Sequence, residues 1–338
     1  MAFSVKTHAA PGVSGLDPTI YVLDDGAGGR AEIWPALGFN CFRWQAVRDG
    51  RTLDLLYCDP GLFADGRPTR SGIPILFPFP NRIRGGRFSW DGKEYQLPLN
   101  DGPKVNAIHG FACRRAWRVI DQGADATGAR VTGEFQGSRD ATDCRGLWPG
   151  DYRIRVTYRL TGDALRLEAE VSNPDSRPMP WGLGYHPYFR VPFAPGMAAG
   201  DCKVVVPAKA YWILEDSLPT GECCPVYASR DLNTARRYAE LTLDDVLTSV
   251  PQGPAVADGL HECGAIEGAP GLRLRLLCSK GFREMVVFTP THREAFCIEP
   301  YTCTTDAVNL QPKGVDAGWQ SLPAGGTWTG TVAMRVEK

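Results

Sequence analysis

From Tyr152 to Leu160 every second residue is apolar (Tyr152, Ile154, Val156, Tyr158, Leu160), and the positions between are Arg153, Arg155, Thr157 and Arg159. A period of two sends alternate side chains to opposite faces of an extended chain, so this stretch predicts a strand with one dry face and one wet face. Thr161-Gly162-Asp163 then supplies turn residues, and Leu165, Leu167, Ala169 and Val171 resume the alternation, which predicts a hairpin. A second hairpin is expected where Phe88-Ser89-Trp90 and Lys93-Glu94-Tyr95 flank Asp91-Gly92, because Asp-Gly accepts the positive φ values of a two-residue turn. Further alternation occupies Leu272 to Leu276 and Trp328 to Val336. The continuous run Met285 to Thr289 reads as a strand buried on both faces.

The best helical candidate, Asn233 to Leu241, is short, and no strand-helix-strand alternation supports a parallel α/β sheet. Gly and Pro make up about a fifth of the 338 residues without a repeating period, which means many turns. The expected fold is therefore all-β: a large antiparallel β-sandwich, with residues 1–338 as a single domain because no Ser-, Gly- or charge-rich linker divides them. Gly26-Ala27-Gly28-Gly29 lacks a following helix pattern and reads as a turn, not a phosphate cradle.

Charge and cysteine usage narrow the function. Lys and Arg number 37 against 38 Asp and Glu, a net charge of -1, which excludes a basic nucleic-acid footprint and suits a neutral or weakly charged small ligand. No apolar run approaches the ~18 residues of a membrane span, and the N-terminus lacks a signal-peptide core. The eleven cysteines are odd in number and contain no Cys-x-x-Cys pair, so they are expected to be reduced thiols of a cytoplasmic protein. Cys297, Cys303 and His292 match no known zinc spacing, and no metal is expected.

Four segments hold polar residues among Gly, Pro and aromatics: Pro78 to Ile83, Asn106 to Phe111, Trp181 to Phe189, and Cys297 to Thr302. Such surroundings hold side chains rigidly beside a cleft. Each polar residue also has a plainer structural reading. His186 fits a core histidine, His109 a strand end, Glu299 a structural partner of Arg82, and Asp244 or Asp245 a backbone cap.

Taken together, the segments resemble the aldose 1-epimerase family, the mutarotases of the galactose mutarotase type. Six motifs occur in that family's order: Asn81-Arg82-Ile83, His109-Gly110, Gly184-Tyr185-His186-Pro187-Tyr188-Phe189, Thr220-Gly221-Glu222, Leu243-Asp244-Asp245-Val246, and Ile298-Glu299-Pro300-Tyr301-Thr302. The resemblance runs from roughly Ala31 to Val336 and implies a β-supersandwich with a sugar cleft on a concave face. It implies Glu299 as general base, His186 as general acid, His109 as a second imidazole, and Arg82 and Asp244 as sugar-positioning groups, with Asn81 supporting Arg82 or touching substrate. A monosaccharide substrate, no cofactor and a monomer follow as expectations. One departure stands out: several members have a sugar-contacting Gln where Gly271 to Pro290 contains none.

Opening a pyranose hemiacetal needs a base at the C1 hydroxyl and an acid at the ring oxygen, roles that a carboxylate and an imidazolium can fill. Trp181, Tyr188 and Tyr301 are candidate packing faces for the sugar, or else core. Three other readings compete. One is an epimerase for an anionic sugar, with Arg70, Arg84 and Arg87 as additional cations. Another is a non-catalytic carbohydrate-binding protein. The third is a glycosidase using Asp244 and Glu299. His8, His261 and His292 fall outside the motifs and are expected to be dispensable for the chemistry.

Overall fold

The computed structural model describes residues 2–12, 15–256, 258–268 and 271–337. Its three large sheets are antiparallel throughout. A five-stranded sheet runs in chain order through Ser4–Ala9, Thr19–Asp24, Arg30–Trp34, Asn40–Arg48 and Arg51–Asp54. A nine-stranded sheet is ordered Arg118–Asp125, Gly128–Gln136, Arg153–Leu160, Ala164–Ser172, Thr327–Glu337, Arg273–Cys278, His261–Glu267, Lys203–Val205 and Arg236–Arg237. The third, eight-stranded sheet carries the residues of interest. Its order is Leu218–Pro225, Ala210–Glu215, Asp244–Thr248, Glu284–Phe288, Ala295–Tyr301, Gly184–Tyr185 and Ile75–Leu76, with Tyr188–Arg190 also paired to Ala295–Tyr301.

The alternation in the sequence carries through. Arg153–Leu160 buries every second residue, and its partner Ala164–Ser172 pairs with it from Arg153↔Ser172 to Leu160↔Leu165. Asp91 and Gly92 turn the Phe88/Tyr95 hairpin with φ of 51° and 71°. The Gly26–Gly29 region is a turn, with Asp25 Oδ1 accepting the amides of Ala27 and Gly29 at 2.7 and 2.8 Å.

The helical expectation at Asn233 to Leu241 is wrong. That stretch forms a two-residue strand at Arg236–Arg237, paired with Lys203 and Val204, and a single 3-10 turn at Tyr238–Glu240. Tyr238 and Leu241, three residues apart, are both buried, and a single tight turn satisfies that spacing as well as a helix would. No described α-helix is longer than four residues. None is long and apolar enough to cross a membrane.

Ile154, Val156 and Tyr158 of the nine-stranded sheet share one apolar cluster with Met285, Val287, Phe296 and Ile298 of the eight-stranded sheet. The two sheets therefore pack face to face, and the alternate residues of the eight-stranded sheet point away from that core. Burying a side chain such as Ile298 contributes about 1.5–3 kcal/mol. A one-residue slip of Ala295–Tyr301 would lose that contribution and drive Glu299 into the core, so packing fixes which residues face the cleft.

Candidate active site

Every residue of Ala295–Tyr301 is buried, including Glu299 at 1% exposure. Phe296 and Ile298 fill the core, while Cys297, Glu299 and Tyr301 share the other face. Cross-strand register arranges that face in rows: Asp244, Phe288 and Cys297 in one, and Val246, Val286 and Glu299 in the next. Asp244 is thus the first residue of a strand, and its neighbour Asp245, on the opposite face, is engaged by Arg230 at 2.7 Å.

The segment 184–189 lies along the other side of Ala295–Tyr301, with Gly184 opposite Tyr301 and Tyr188 opposite Cys297. It presents His186 so that Nε2 lies 3.4 Å from Glu299 Oε1. The His186 amide donates to Pro74 O at 3.0 Å and anchors the backbone there. Tyr188 stacks its ring on the imidazole with centroids 4.5 Å apart and planes 5° from parallel. The Tyr188 hydroxyl donates to Thr69 O at 2.9 Å and lies 3.3 Å from His186 Nε2. A phenol has one proton, so its oxygen accepts at the imidazole, and Nε2 carries the hydrogen. Nδ1 of His186 is buried without a hydrogen-bond partner.

A two-stranded ladder of Arg82–Arg84 and Asn106–Ile108 supplies the remaining residues. Asn81 and His109, at its end, both adopt left-handed backbone, with φ of 52° and 67°, and the His109 amide donates to Asn81 O at 2.9 Å. Asn and His tolerate that conformation better than most residues. The His109 ring meets His186 edge-on with centroids 5.8 Å apart. Arg82 Nη1 donates to Asn81 Oδ1 at 3.1 Å, and among the described residues Arg82 makes no ion pair with a carboxylate.

Electrostatics follow from this packing. Burial pushes the Glu299 carboxyl well above its ordinary pKa; the Tyr301 hydrogen bond and the Arg82 charge oppose that rise, and Asp244 adds to it. Burial also pushes the His186 imidazole down to about 3. His109 is held well below its usual value by burial and by the positive charges of His186, Arg114 and Arg82. Asp244 is raised by burial against the pull of Arg82. Burial thus disfavours both charged forms of the Glu299–His186 pair. A carboxyl and an imidazole in contact, each held towards its neutral form, can give a proton at one atom while taking one at another.

The structure thus gathers Glu299, His186, His109, Arg82 and Asn81 and sets Asp244 within electrostatic reach of Arg82 and Glu299. Other expectations shift. Trp181 is 1% exposed and packs on Trp328 at 4.9 Å, so it belongs to the core. Tyr301 is fully buried and donates to Glu299 Oε2 at 2.6 Å, and Tyr188 is occupied by His186, so both act on the pair and do not serve as open sugar platforms. Arg84 is drawn to Asp306 at 3.8 Å, and Arg87 donates to Gln96 at 2.7 Å. Burial holds the Tyr188 phenol well above its ordinary pKa, and Arg70, next to Thr69 in sequence, opposes that rise. Arg114, overlooked in the sequence, acts on His109 and Cys113. Cys297, Cys303 and His292 do not converge: Cys303 packs with Ala307 and Leu310, and His292 stacks on Tyr57 at 4.4 Å. A spacing of two would have found the tyrosines, because His186 and Tyr188, like Glu299 and Tyr301, lie two residues apart.

Comparisons with known proteins bear on the family and the fold. The family model described as Aldose 1-epimerase matches residues 21–335. Galactose mutarotase of Rattus norvegicus is 33% identical over 147 residues, 43% of this chain and 40% of that protein. YphB of Escherichia coli K12 is 30% identical over 149 residues, 44% of this chain and 45% of that protein. The matched region therefore spans less than half the length of either curated relative. A galactose mutarotase-like protein from Clostridium acetobutylicum has the same fold, with a TM-score of 0.87 at 24% identity, covering 100% of this chain and 99% of its own.

Proposed function

This chain belongs to the aldose 1-epimerase family, a family of isomerases, and from that membership we propose that it interconverts the α and β anomers of a free aldohexose. The observation that carries the reading is the buried pair His186 Nε2 and Glu299 Oε1, 3.4 Å apart. Glu299 takes the proton of the C1 hydroxyl. The C1–O5 bond breaks with its electrons moving to O5, which receives the Nε2 proton of His186, and C1 becomes an aldehyde. After rotation about C1–C2 the O5 hydroxyl attacks the other face of C1, returning its proton to His186 while the aldehyde oxygen recovers the proton from Glu299.

That cycle uses the charged form of the pair, carboxylate and imidazolium. Arg82 and the sugar hydroxyls stabilise the carboxylate when the cleft is filled, and developing charge at O5 is met by His186 with His109 beside it. Arg82 and Asp244 orient the ring by donating to and accepting from its hydroxyls, with Asn81 holding the guanidinium. The reaction as written draws on no cofactor.

A second reading, an aldose bearing an anionic group, is favoured by Arg70 and Arg114. Both bring positive charge to the His186–His109 side without a carboxylate partner among the described residues. Exchange of α-glucose, α-galactose and their anionic derivatives, followed by polarimetry or NMR, tests both readings. Saturable acceleration of at least one sugar is expected. Uncatalysed rates across the whole panel, with the protein folded, would sink the proposal.

A further inference from the structure

Cys297 has no part in the ring-opening cycle, yet it lies on the same strand face as Glu299, because positions 297 and 299 are two apart, and it packs beside Tyr57 and Tyr188. His186, Cys297 and Glu299 each offer one ligand atom, nitrogen, sulfur and oxygen, and the three atoms lie within 4.8 Å of one another, all buried. Three buried thiols bond to a carbonyl, Cys41 to Arg43 O, Cys113 to His109 O and Cys263 to His261 O, whereas among the described residues those of Cys144, Cys202, Cys278, Cys303 and Cys297 do not. Zinc bonds of about 2.0 Å to nitrogen or oxygen and about 2.3 Å to sulfur separate tetrahedral ligand atoms by roughly 3.3–3.7 Å. His186 Nε2 and Glu299 Oε1 already stand at 3.4 Å.

We propose that His186, Cys297 and Glu299 form a site for one exchangeable Zn²⁺, and that the ion inhibits the enzyme by occupying its acid–base pair. The inhibition rests on the function proposed above, whereas the binding does not. Two features make the ion exchangeable and not resident. Histidines that hold a permanent zinc donate from their second nitrogen to a fixed partner, and Nδ1 of His186 is buried with none. Tyr301 also holds Glu299 Oε2 and competes with the metal for the carboxylate. On binding, the thiol proton and any proton on the Glu299 carboxyl pass to the buffer, the imidazole hydrogen leaves Nε2 and the neutral ring keeps its one hydrogen on Nδ1, and zinc takes the thiolate, Nε2 and the carboxylate with water in the fourth position. The sugar's C1 hydroxyl and the ion then claim the same carboxylate oxygen.

The experiment titrates the chelator-treated full chain with Co²⁺, which gives a visible thiolate charge-transfer band only when sulfur ligates, and with Zn²⁺ by calorimetry. One equivalent of either ion is expected to bind, with the cobalt band present. Cys297→Ala should abolish that band and weaken zinc by about tenfold or more. It should keep the basal anomer-exchange rate while losing sensitivity to zinc; in the unsubstituted chain a chelator should restore activity and sugar should compete with zinc. Cys297→Ser serves as the second variant should the alanine chain fold poorly. Absence of the cobalt band on folded protein, or equal zinc affinity in both variants, overturns the site. If the band appears and depends on Cys297 but no sugar is turned over, the metal site stands and the proposed activity fails.

Discussion

The hydroxyl of Tyr301 donates to Glu299 Oε2 at 2.6 Å, so the carboxyl has one oxygen engaged and Oε1 turned to His186. The bond is local in sequence and buried in space, since the two side chains are neighbours on one strand face at 0% and 1% exposure. It offsets part of the desolvation that drives Glu299 towards its neutral form. Tyr188 has the matching relation to His186, two residues away, where it fixes the hydrogen on Nε2.

Removing the first of these contacts tests its role. A hydrogen bond to a charged group contributes about 1.5–3 kcal/mol, so Tyr301→Phe is expected to lower kcat roughly ten- to a hundredfold. KM should change little, because Tyr301 does not touch the sugar. Steady-state kinetics of anomer exchange separate the two parameters, and a change confined to KM would contradict a positioning role.

Tyr188→Phe keeps the stacked ring and deletes the acceptor at Nε2 together with the donor to Thr69 O. The imidazole then loses the partner that fixes its tautomer, and a severalfold fall in kcat is expected. The ring ¹⁵N shifts of His186 in NMR should show a mixture of Nδ1–H and Nε2–H forms. An unchanged tautomer spectrum would refute the assignment.

Glu299→Gln and His186→Asn each remove one half of the acid–base pair. Each should cost on the order of 10²- to 10⁴-fold in kcat. Because the two act as a unit, the double variant should be hardly slower than the worse single one. Full additivity of the two losses would show that the groups work independently.

Stability should depend on pH through the same residues. His186 titrates at about 3 in the folded chain, far below its ordinary 6.5, so between those values the unfolded chain binds more protons and stability falls as pH is lowered. His109 shifts in the same direction. Glu299, raised by burial, acts in the opposite direction over the same range, so the His186 share is read as a difference: between about pH 7 and about pH 5 the urea midpoint of the natural chain should fall relative to that of His186→Gln. Equal changes in both proteins would mean that His186 is not held neutral.

Gly184→Ala probes how tightly the floor is packed. An added Cβ would stand 2.5 Å from Tyr301 Cδ1 and 2.7 Å from Pro80 Cβ. Overpacking of this kind destabilises by about 1–3 kcal/mol, and here it also displaces the ring that holds Glu299. The expected result is a lower thermal midpoint together with a kcat loss resembling that of Tyr301→Phe. Normal kcat in a destabilised protein would mean that the strain is relieved at Pro80 instead.

Much of the fold was legible because a two-residue period is a local property. Arg153–Leu160 alternates in the sequence and alternates in burial. Met285 to Thr289 reads as buried on both sides, and all of it is except Phe288, which is half-buried. Asn233 to Leu241 misled because apolar residues three apart suit a single tight turn as well as a helix, and pairing of Arg236 and Arg237 with a distant strand decided the matter. In the candidate site, sequence motifs pointed to His186 and Glu299, but not to what their neighbours do. Trp181 and Tyr301 looked alike as aromatic platforms, yet one lies in the core and the other holds a carboxyl.

By itself, the sequence determined the all-β class, the main strands and hairpins, and the residues able to give or take a proton. Those follow from side-chain periodicity, turn chemistry and residue type, which each segment carries within itself. The tertiary structure alone decided that His186 and Glu299, 113 positions apart, meet at 3.4 Å, and that Arg84 and Arg87 are engaged elsewhere. It also decided that burial raises the Glu299 carboxyl pKa and lowers that of the His186 imidazole. Distance and desolvation depend on which sheets stack and on what register their strands take, and no single segment encodes either.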